Sequence, residues 1–254
     1  MNAIFRRKLL ERELLCGTML TTSSVEVTEI LAHLDYDWLF IDTEHSPLSP
    51  MTVRSLIQAA GKVPCLVRLA DRGEVSIKNA LDSGAAGIIA PQVNNAKEAK
   101  EIVSYCKYPP AGTRGVGLSR ASKYGLEFSD YVSNANNSIS VVLQIEHIEA
   151  VKNVHEILAV EGLDAIFIGP YDLSTSMGKP GLLRDPAVVE AIRTVRDACL
   201  EAKIALGYFG MDVNDVMERA SQGFSLLCSG LDLGFLTESG RKNLEGLKST
   251  KVVL

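Results

Sequence analysis

Eight short apolar runs recur along the chain, each bounded by turn residues. They cover residues 18–20, 38–41, 65–69, 87–90, 141–145, 165–168, 205–208 and 226–228. Most are apolar at consecutive positions, which is how a parallel strand buried on both faces reads. Helical periodicity follows them over 25–34, 51–60, 74–81, 96–105, 149–158, 187–201, 213–221 and 233–247. Start signals sharpen three of these helices. Ser23-Ser24-Val25-Glu26 resembles a capping box, and Ser49-Pro50 and Asp185-Pro186 each place a cap before a first-turn proline. Residues 1–13, with Arg6, Arg7, Lys8 and Arg12, read as an amphipathic N-terminal helix. They lack the continuous apolar core and cleavage site of a leader.

Eight strand–helix pairs over 254 residues predict an α/β fold, a (β/α)₈ TIM barrel forming one domain over residues 1–254. A doubly wound open sheet is the alternative. It loses weight because no G-x-G-x-x-G follows the first strand, and the early turn Thr21-Thr22-Ser23 has no glycine. One connection, between the fourth and fifth strands, is long and carries the stretch from Tyr108-Pro109-Pro110 to Gly117. Long loops in compact domains commonly serve function or partners.

Composition narrows the partners. A chain that is 46% hydrophobic and 22% charged is not disordered. With 26 Lys+Arg against 31 Asp+Glu, no basic cluster and 6% aromatics, nucleic acid and anionic membrane are poor partners. No stretch reaches the roughly 18 apolar residues of a membrane helix. Five cysteines (Cys16, Cys65, Cys106, Cys199 and Cys228) are an odd number with no C-x-x-C pair. They predict buried, reduced thiols in a cytoplasmic protein.

Barrel chemistry sits at the C-terminal ends of strands. Those ends carry Asp42-Thr43-Glu44-His45, Arg68, Gln144-Ile145-Glu146-His147, Gly169-Pro170-Tyr171-Asp172 and Ser229-Gly230. Glu146 and Asp172 follow neighbouring strands at equivalent depth, and two close carboxylates both stay ionised when a cation lies between them. All-oxygen ligation suits Mg²⁺, Mn²⁺ or a similar ion. His45, three residues after Asp42, is a candidate general base. His147 adjoins Glu146 but points elsewhere if Glu146 faces the mouth. Arg68 interrupts an apolar strand and needs an anionic oxygen, either a ligand's or that of Asp42 or Glu44. Two backbone cradles stand as anion candidates, Gly169–Ser174 for a carboxylate and Gly112–Gly117 for a phosphate. Lys62 and Lys203 precede their strands, so no lysine is placed for an imine, and no G-x-S-x-G is present for acyl transfer.

Four stretches together resemble the HpcH/HpaI family of metal-dependent pyruvate aldolases: Asp37 to His45, Tyr108 to Gly115, Gln144-Ile145-Glu146 and Phe167 to Ser174. The similarity runs from about Gly17 into the last helix. It implies that Glu146 and Asp172 bind a divalent cation (Mg²⁺, Mn²⁺ or Co²⁺) which chelates a pyruvate moiety. It further implies that Gln144 and the backbone of Gly169, Tyr171 and Asp172 hold the substrate carboxylate, and that Arg68 polarises the keto oxygen. His45, tuned by Asp42, would take the 4-hydroxyl proton. Asp82 matches a position that reaches a neighbouring subunit's histidine. A homo-oligomer follows, a trimer or a hexamer with an exchanged C-terminal helix. Thr43, Tyr171 and Met19 depart from the family pattern where the aldehyde half is expected. The reaction implied is reversible retro-aldol cleavage of a 4-hydroxy-2-oxo acid to pyruvate and an aldehyde, as in the heptanedioate and 3-deoxy-sugar-acid aldolases. The alternatives are a citrate-lyase-like CoA-ester lyase, an oxaloacetate decarboxylase using the same enolate-stabilising site, and a non-catalytic binding barrel.

Overall fold

The structure, a computed structural model, describes residues 2–249. Eight parallel strands close into a barrel in chain order: β1 (Leu15–Leu20), β2 (Trp38–Asp42), β3 (Cys65–Arg68), β4 (Gly87–Ala90), β5 (Ser140–Ile145), β6 (Ala165–Ile168), β7 (Ala205–Gly210) and β8 (Leu226–Leu231). The helices are α1 (Asn2–Leu10), α2 (Val25–Ala32), α3 (Pro50–Ala59), α4 (Glu74–Asp82), α5 (Ala96–Cys106), α6 (Phe128–Ser138), α7 (Ile148–Lys152), α8 (Val154–Leu158), α9 (Pro170–Ser176), α10 (Pro186–Ala202), α11 (Val213–Ser221) and α12 (Asp232–Ser249). The barrel expected from the pattern is the fold observed.

Alternation along the strands divides the core in two. Leu39, Ile41, Val67, Leu143, Ile145, Ile166 and Ile168 face outward and pack under the helices. Trp38, Phe40, Leu66, Ile89, Val142, Ala165, Phe167 and Leu226 face inward and fill the barrel, stiffened by edge-to-face contact of Phe167 with Trp38 and Phe40. Gly17 makes room for this filling, since a Cβ there would lie 2.6 Å from the Trp38 ring. Helix α1 closes the barrel floor. Its Phe5 and Leu9 join the inner cluster, and Arg6 bonds both oxygens of Asp164, the residue before β6.

Several local expectations are corrected. Ser24, not Ser23, caps α2, accepting from Val27 N, with Glu26 one position early for a capping box. The helix expected over 149–158 is two short helices meeting at Asn153. The expected N-terminal helix ends at Leu10, and Met1 lies outside the described residues. The 112–117 stretch is no phosphate cradle: Thr113 N and Arg114 N are already donated to Ser104 O and Lys107 O, at 2.8 and 2.9 Å, which docks the loop on the end of α5. Four cysteines are buried, but Cys16 is exposed, because it falls on an outward position of β1. Among the described residues no helix is long and apolar enough to cross a membrane.

The last helix has little of its own chain to rest on. Asp232, at its root, accepts from the N–H and hydroxyl of both Thr21 and Thr22, at 2.6–3.0 Å. Beyond that root, Leu236, Leu244 and Leu247 are exposed.

Candidate active site

The charged side chains continue the inward-facing series by one step past the apolar filling. On β2 the series runs Trp38, Phe40, Asp42; on β3, Leu66, Arg68. From β5 it runs Val142, Gln144 and then Glu146, and from β6 Ala165, Phe167 and Gly169. Asp42 and Arg68 are register partners on adjacent strands. The Nε–H of Arg68 donates to Asp42 Oδ1 at 2.9 Å, and Nη1 lies 3.4 Å from Glu44 Oε2. The guanidinium also sits over the Phe40 ring, 5.3 Å from its centroid. Both carboxylates offered by the sequence therefore partner Arg68. Burial disfavours its charge, but the bond to Asp42 and the charges of Asp42, Glu44 and Glu146 prevail and raise its pKa.

Glu146 is the most perturbed of the acids here. It is only 2% exposed, and burial pushes its carboxyl up to about 7. Hydrogen bonds from Gln144 Nε2 and from Gln92 N, the latter at 2.6 Å, pull against that rise, while the charges of Glu44 and Asp172 add to it. Glu44 is raised in the same way, first by burial, with Arg68 opposing and Asp42 and Asp172 adding. The mouth thus holds more carboxylate than its one arginine balances.

Asp172 lies in the first turn of α9, beside Glu146 because β5 and β6 pair with Ile145 opposite Ile168. Gly169 permits this approach: a Cβ there would meet Glu146 Oε2 at 2.9 Å and Gln144 Nε2 at 3.1 Å. Its own N–H is donated to Ile145 O at 3.1 Å, so Gly169 has no N–H for a substrate. The donors left in that turn are the N–H groups of Tyr171 and Asp172, which have no intrahelical acceptor. A cavity of about 290 Å³ opens here. His45, Arg68, Gln144, Tyr171 and Asp172 wall it, and Phe40 and Phe167 form its apolar floor.

The sequence's site residues fall in three groups. Arg68, Asp42, Gln144, Glu146, Gly169, Tyr171 and Asp172 come together. His45 is at the rim, its side chain 60% exposed, and Asp42 does not orient its imidazole. The Asp42 carboxylate is turned to Arg68 and to the backbone N–H groups of Glu44 and His45, at 3.0 and 3.4 Å. The carboxylate facing His45 Nε2 is Glu44, 3.9 Å away. Asp82 lies apart, at the end of α4, paired with Arg114 Nη2 at 2.7 Å. Of the three departures, Met19 and Tyr171 line the cavity. Thr43 instead donates both N–H and hydroxyl to Arg68 O. His147 caps α7 with Nδ1. The sequence offers Glu44 as a partner of Arg68, but not Glu44 as the carboxylate facing His45, and it does not point to Gln92. Glu44 sits inside the quoted motif, whereas a backbone N–H such as that of Gln92 leaves no residue-type signal.

A larger groove, about 780 Å³, lies between α10 and α11 and shares Tyr171 with the cavity. Three of its arginines are paired within their own helices (Arg193 with Glu190, Arg196 with Asp197, Arg219 with Asp215).

The residues present fit a hard divalent cation. Among the described residues no three His, Cys, Asp or Glu side chains converge as a ready-made metal cluster. The donors on offer are the carboxylates of Glu146 and Asp172. Beside them, Gln144 Oε1 is buried with no hydrogen-bond partner. Few oxygen donors with room for water and substrate suit Mg²⁺ or Mn²⁺, and a cation would offset the uncompensated acid.

Fold and cluster define the class: a (β/α)₈-barrel enzyme with an acid-rich, arginine-buttressed mouth. Residues 16–239 match the HpcH/HpaI aldolase/citrate lyase family, and the chain belongs to it. It is 35% identical to the hydroxypyruvate/pyruvate aldolase of Delftia acidovorans, over 97% of this chain and 93% of that one. It is 44% identical to the 4-hydroxy-2-oxo-heptane-1,7-dioate aldolase of Shigella sonnei, over 72% of each. A solved family structure from Burkholderia cenocepacia superposes with a TM-score of 0.94 at 32% identity, covering 98% of this chain and all of the other. The chain is an aldolase, a lyase that works by retro-aldol cleavage.

Proposed function

We propose that the substrate is a 4-hydroxy-2-oxo acid, cleaved reversibly to pyruvate and an aldehyde with a divalent cation bound by Glu146 and Asp172. The observation that carries this reading is one small cavity with an apolar floor lined by Arg68, Gln144 and Asp172, with the buried Glu146 carboxylate bonded to that same Gln144. The names of the relatives, which include pyruvate and 2-oxo-acid aldolases, support it. Mg²⁺, Mn²⁺ or Co²⁺ held there would supply Lewis acidity toward the 2-oxo acid.

The chain's own groups account for the rest. Gln144 and the N–H groups of Tyr171 and Asp172 hold the substrate carboxylate. Arg68, fixed by Asp42 and resting on Phe40, donates to the keto oxygen and stabilises negative charge as it develops there. His45, through a water, removes the 4-hydroxyl proton. The C3–C4 bond then breaks, its electron pair passes into the enolate, and the aldehyde forms at C4. Protonation at C3 gives pyruvate. Glu44 faces the His45 imidazole, 3.9 Å from Nε2. Phe40 and Phe167 keep bulk water from beneath the reacting carbons.

The working unit is a homo-oligomer, a trimer or hexamer, in which α12 is exchanged between subunits. Between α11 and α2, the neighbours of the β8–β1 edge, Val213, Met217, Ile30 and Leu34 are exposed, as are the leucines of α12. A partner's α12 seated there covers both sets, and Asp82 then faces a neighbouring subunit.

The test is pyruvate release from a panel of 4-hydroxy-2-oxo acids with Mg²⁺, Mn²⁺ or Co²⁺, repeated after EDTA. Metal-dependent release, abolished by EDTA and restored by metal, is the expected result. Absence of release with every substrate and metal rejects the assignment.

A further inference from the structure

Gln92 follows β4 and holds a backbone conformation that side-chain-bearing residues rarely adopt, with φ at +55°. It is not in a hairpin or at a helix end, the common places for such a residue. Its conformation turns its two backbone groups in useful directions. The N–H donates to Glu146 Oε1 at 2.6 Å. The C=O accepts from Arg72 Nη1 at 2.7 Å and from Asn94 Nδ2 at 3.2 Å. Arg72 is itself held, its Nη1 lying 2.6 Å from Glu98 Oε2. The same Glu98 oxygen accepts Asn94 N at 2.7 Å, and Asn94 O accepts from Asn153 between α7 and α8. A ring of hydrogen bonds on the outside of the mouth thus ends on one buried carboxylate inside it.

We propose that Arg72, acting through the backbone of Gln92, is a positioning residue for Glu146. The cationic guanidinium on the carbonyl anchors the 92–93 peptide, which holds the left-handed turn at Gln92 and so aims its N–H at the carboxylate. Glu146 Oε1 is thereby fixed by a backbone donor, with no inward-pointing cation needed. The left-handed conformation at Gln92 is maintained because the peptides on its two sides are both bonded, the N–H to Glu146 and the C=O to Arg72 and Asn94. Partners of this outer kind set ligand orientation, and their loss typically weakens metal binding by 10–100-fold.

The inference rests on the reading of Glu146 as a ligand of a divalent cation, and the experiment separates the two. Mn²⁺ binding to the otherwise metal-free protein is measured by electron paramagnetic resonance for wild type, Arg72→Met, Arg72→Lys and Gln92→Gly. Arg72→Met is expected to bind Mn²⁺ at least tenfold more weakly with an unchanged Tm, and its lost turnover returns at saturating Mn²⁺, whereas a merely structural role would lower Tm and kcat together. Arg72→Lys falls between. Gln92→Gly keeps the N–H and relieves the φ, so it retains the wild-type affinity. Wild-type affinity in Arg72→Met, or a loss in Gln92→Gly as large as in Arg72→Met, overturns the proposal. If the wild type itself binds no Mn²⁺, the metal reading falls. Hydrogen exchange at the Gln92 amide then decides the positioning: faster exchange in Arg72→Met upholds it, and equal exchange rejects it.

Discussion

At the scale of single residues, the mouth trades stability for charge. With no metal bound, Glu146 titrates near 7 in the folded chain against 4.5 as an ordinary glutamate. Between those values the folded state binds a proton that the unfolded state has lost. Its contribution to stability is therefore present at low pH and disappears as pH rises to 7, by about 3 kcal/mol in total. Thermal unfolding of EDTA-treated protein should show wild type losing stability relative to Glu146→Gln across that window; a wild-type stability that holds or gains relative to the variant as pH rises contradicts it. The same Gln variant should lose metal-dependent turnover. Arg68→Met strands the buried carboxylate of Asp42, and breaking such a pair destabilises by about 3–5 kcal/mol. Calorimetry should record a drop of roughly 10 °C in Tm. Arg68, Glu146 and Asp172 were legible in the sequence because each places a charge at the end of an apolar run. The direction of the Asp42 carboxylate was not, since a spacing of three residues in a loop leaves open whether it meets the imidazole or the backbone.

At the scale of elements, consecutive apolar runs and caps made most of the barrel readable. Buried parallel strands leave uninterrupted apolar runs, and the caps read at Ser49 and Asp185 each accept from a first-turn N–H group. Pieces without an apolar stripe escaped: α6, with one buried residue, and the short α9. Yet α9 places Asp172, and its entry depends on Gly169. Gly169→Ala should fold with an unchanged circular dichroism spectrum but lose at least tenfold in kcat/KM, since the new methyl displaces Glu146 and Gln144. Far from the mouth, Lys203 ends α10 at φ +59°. Lys203→Gly should add about 0.5–1 kcal/mol in urea unfolding and leave turnover unchanged.

At the scale of the whole molecule, the exposed flank of α12 bears on assembly. Leu236→Glu with Leu244→Glu should shift the sedimenting species from oligomer to monomer; an unaltered sedimentation coefficient removes α12 from the interface. Within each barrel, α1 and the aromatic filling have a kinetic consequence. The cavity is a cup stopped below by Phe40 and Phe167, so everything enters and leaves by one opening. With the pyruvate half held against Arg68 and Gln144 as proposed, the aldehyde half lies above it. Departure is then a queue: the aldehyde must clear the opening before pyruvate can leave. In the cleavage direction pyruvate should inhibit competitively and the aldehyde non-competitively, an order imposed by a sealed floor and not by the chemistry above it.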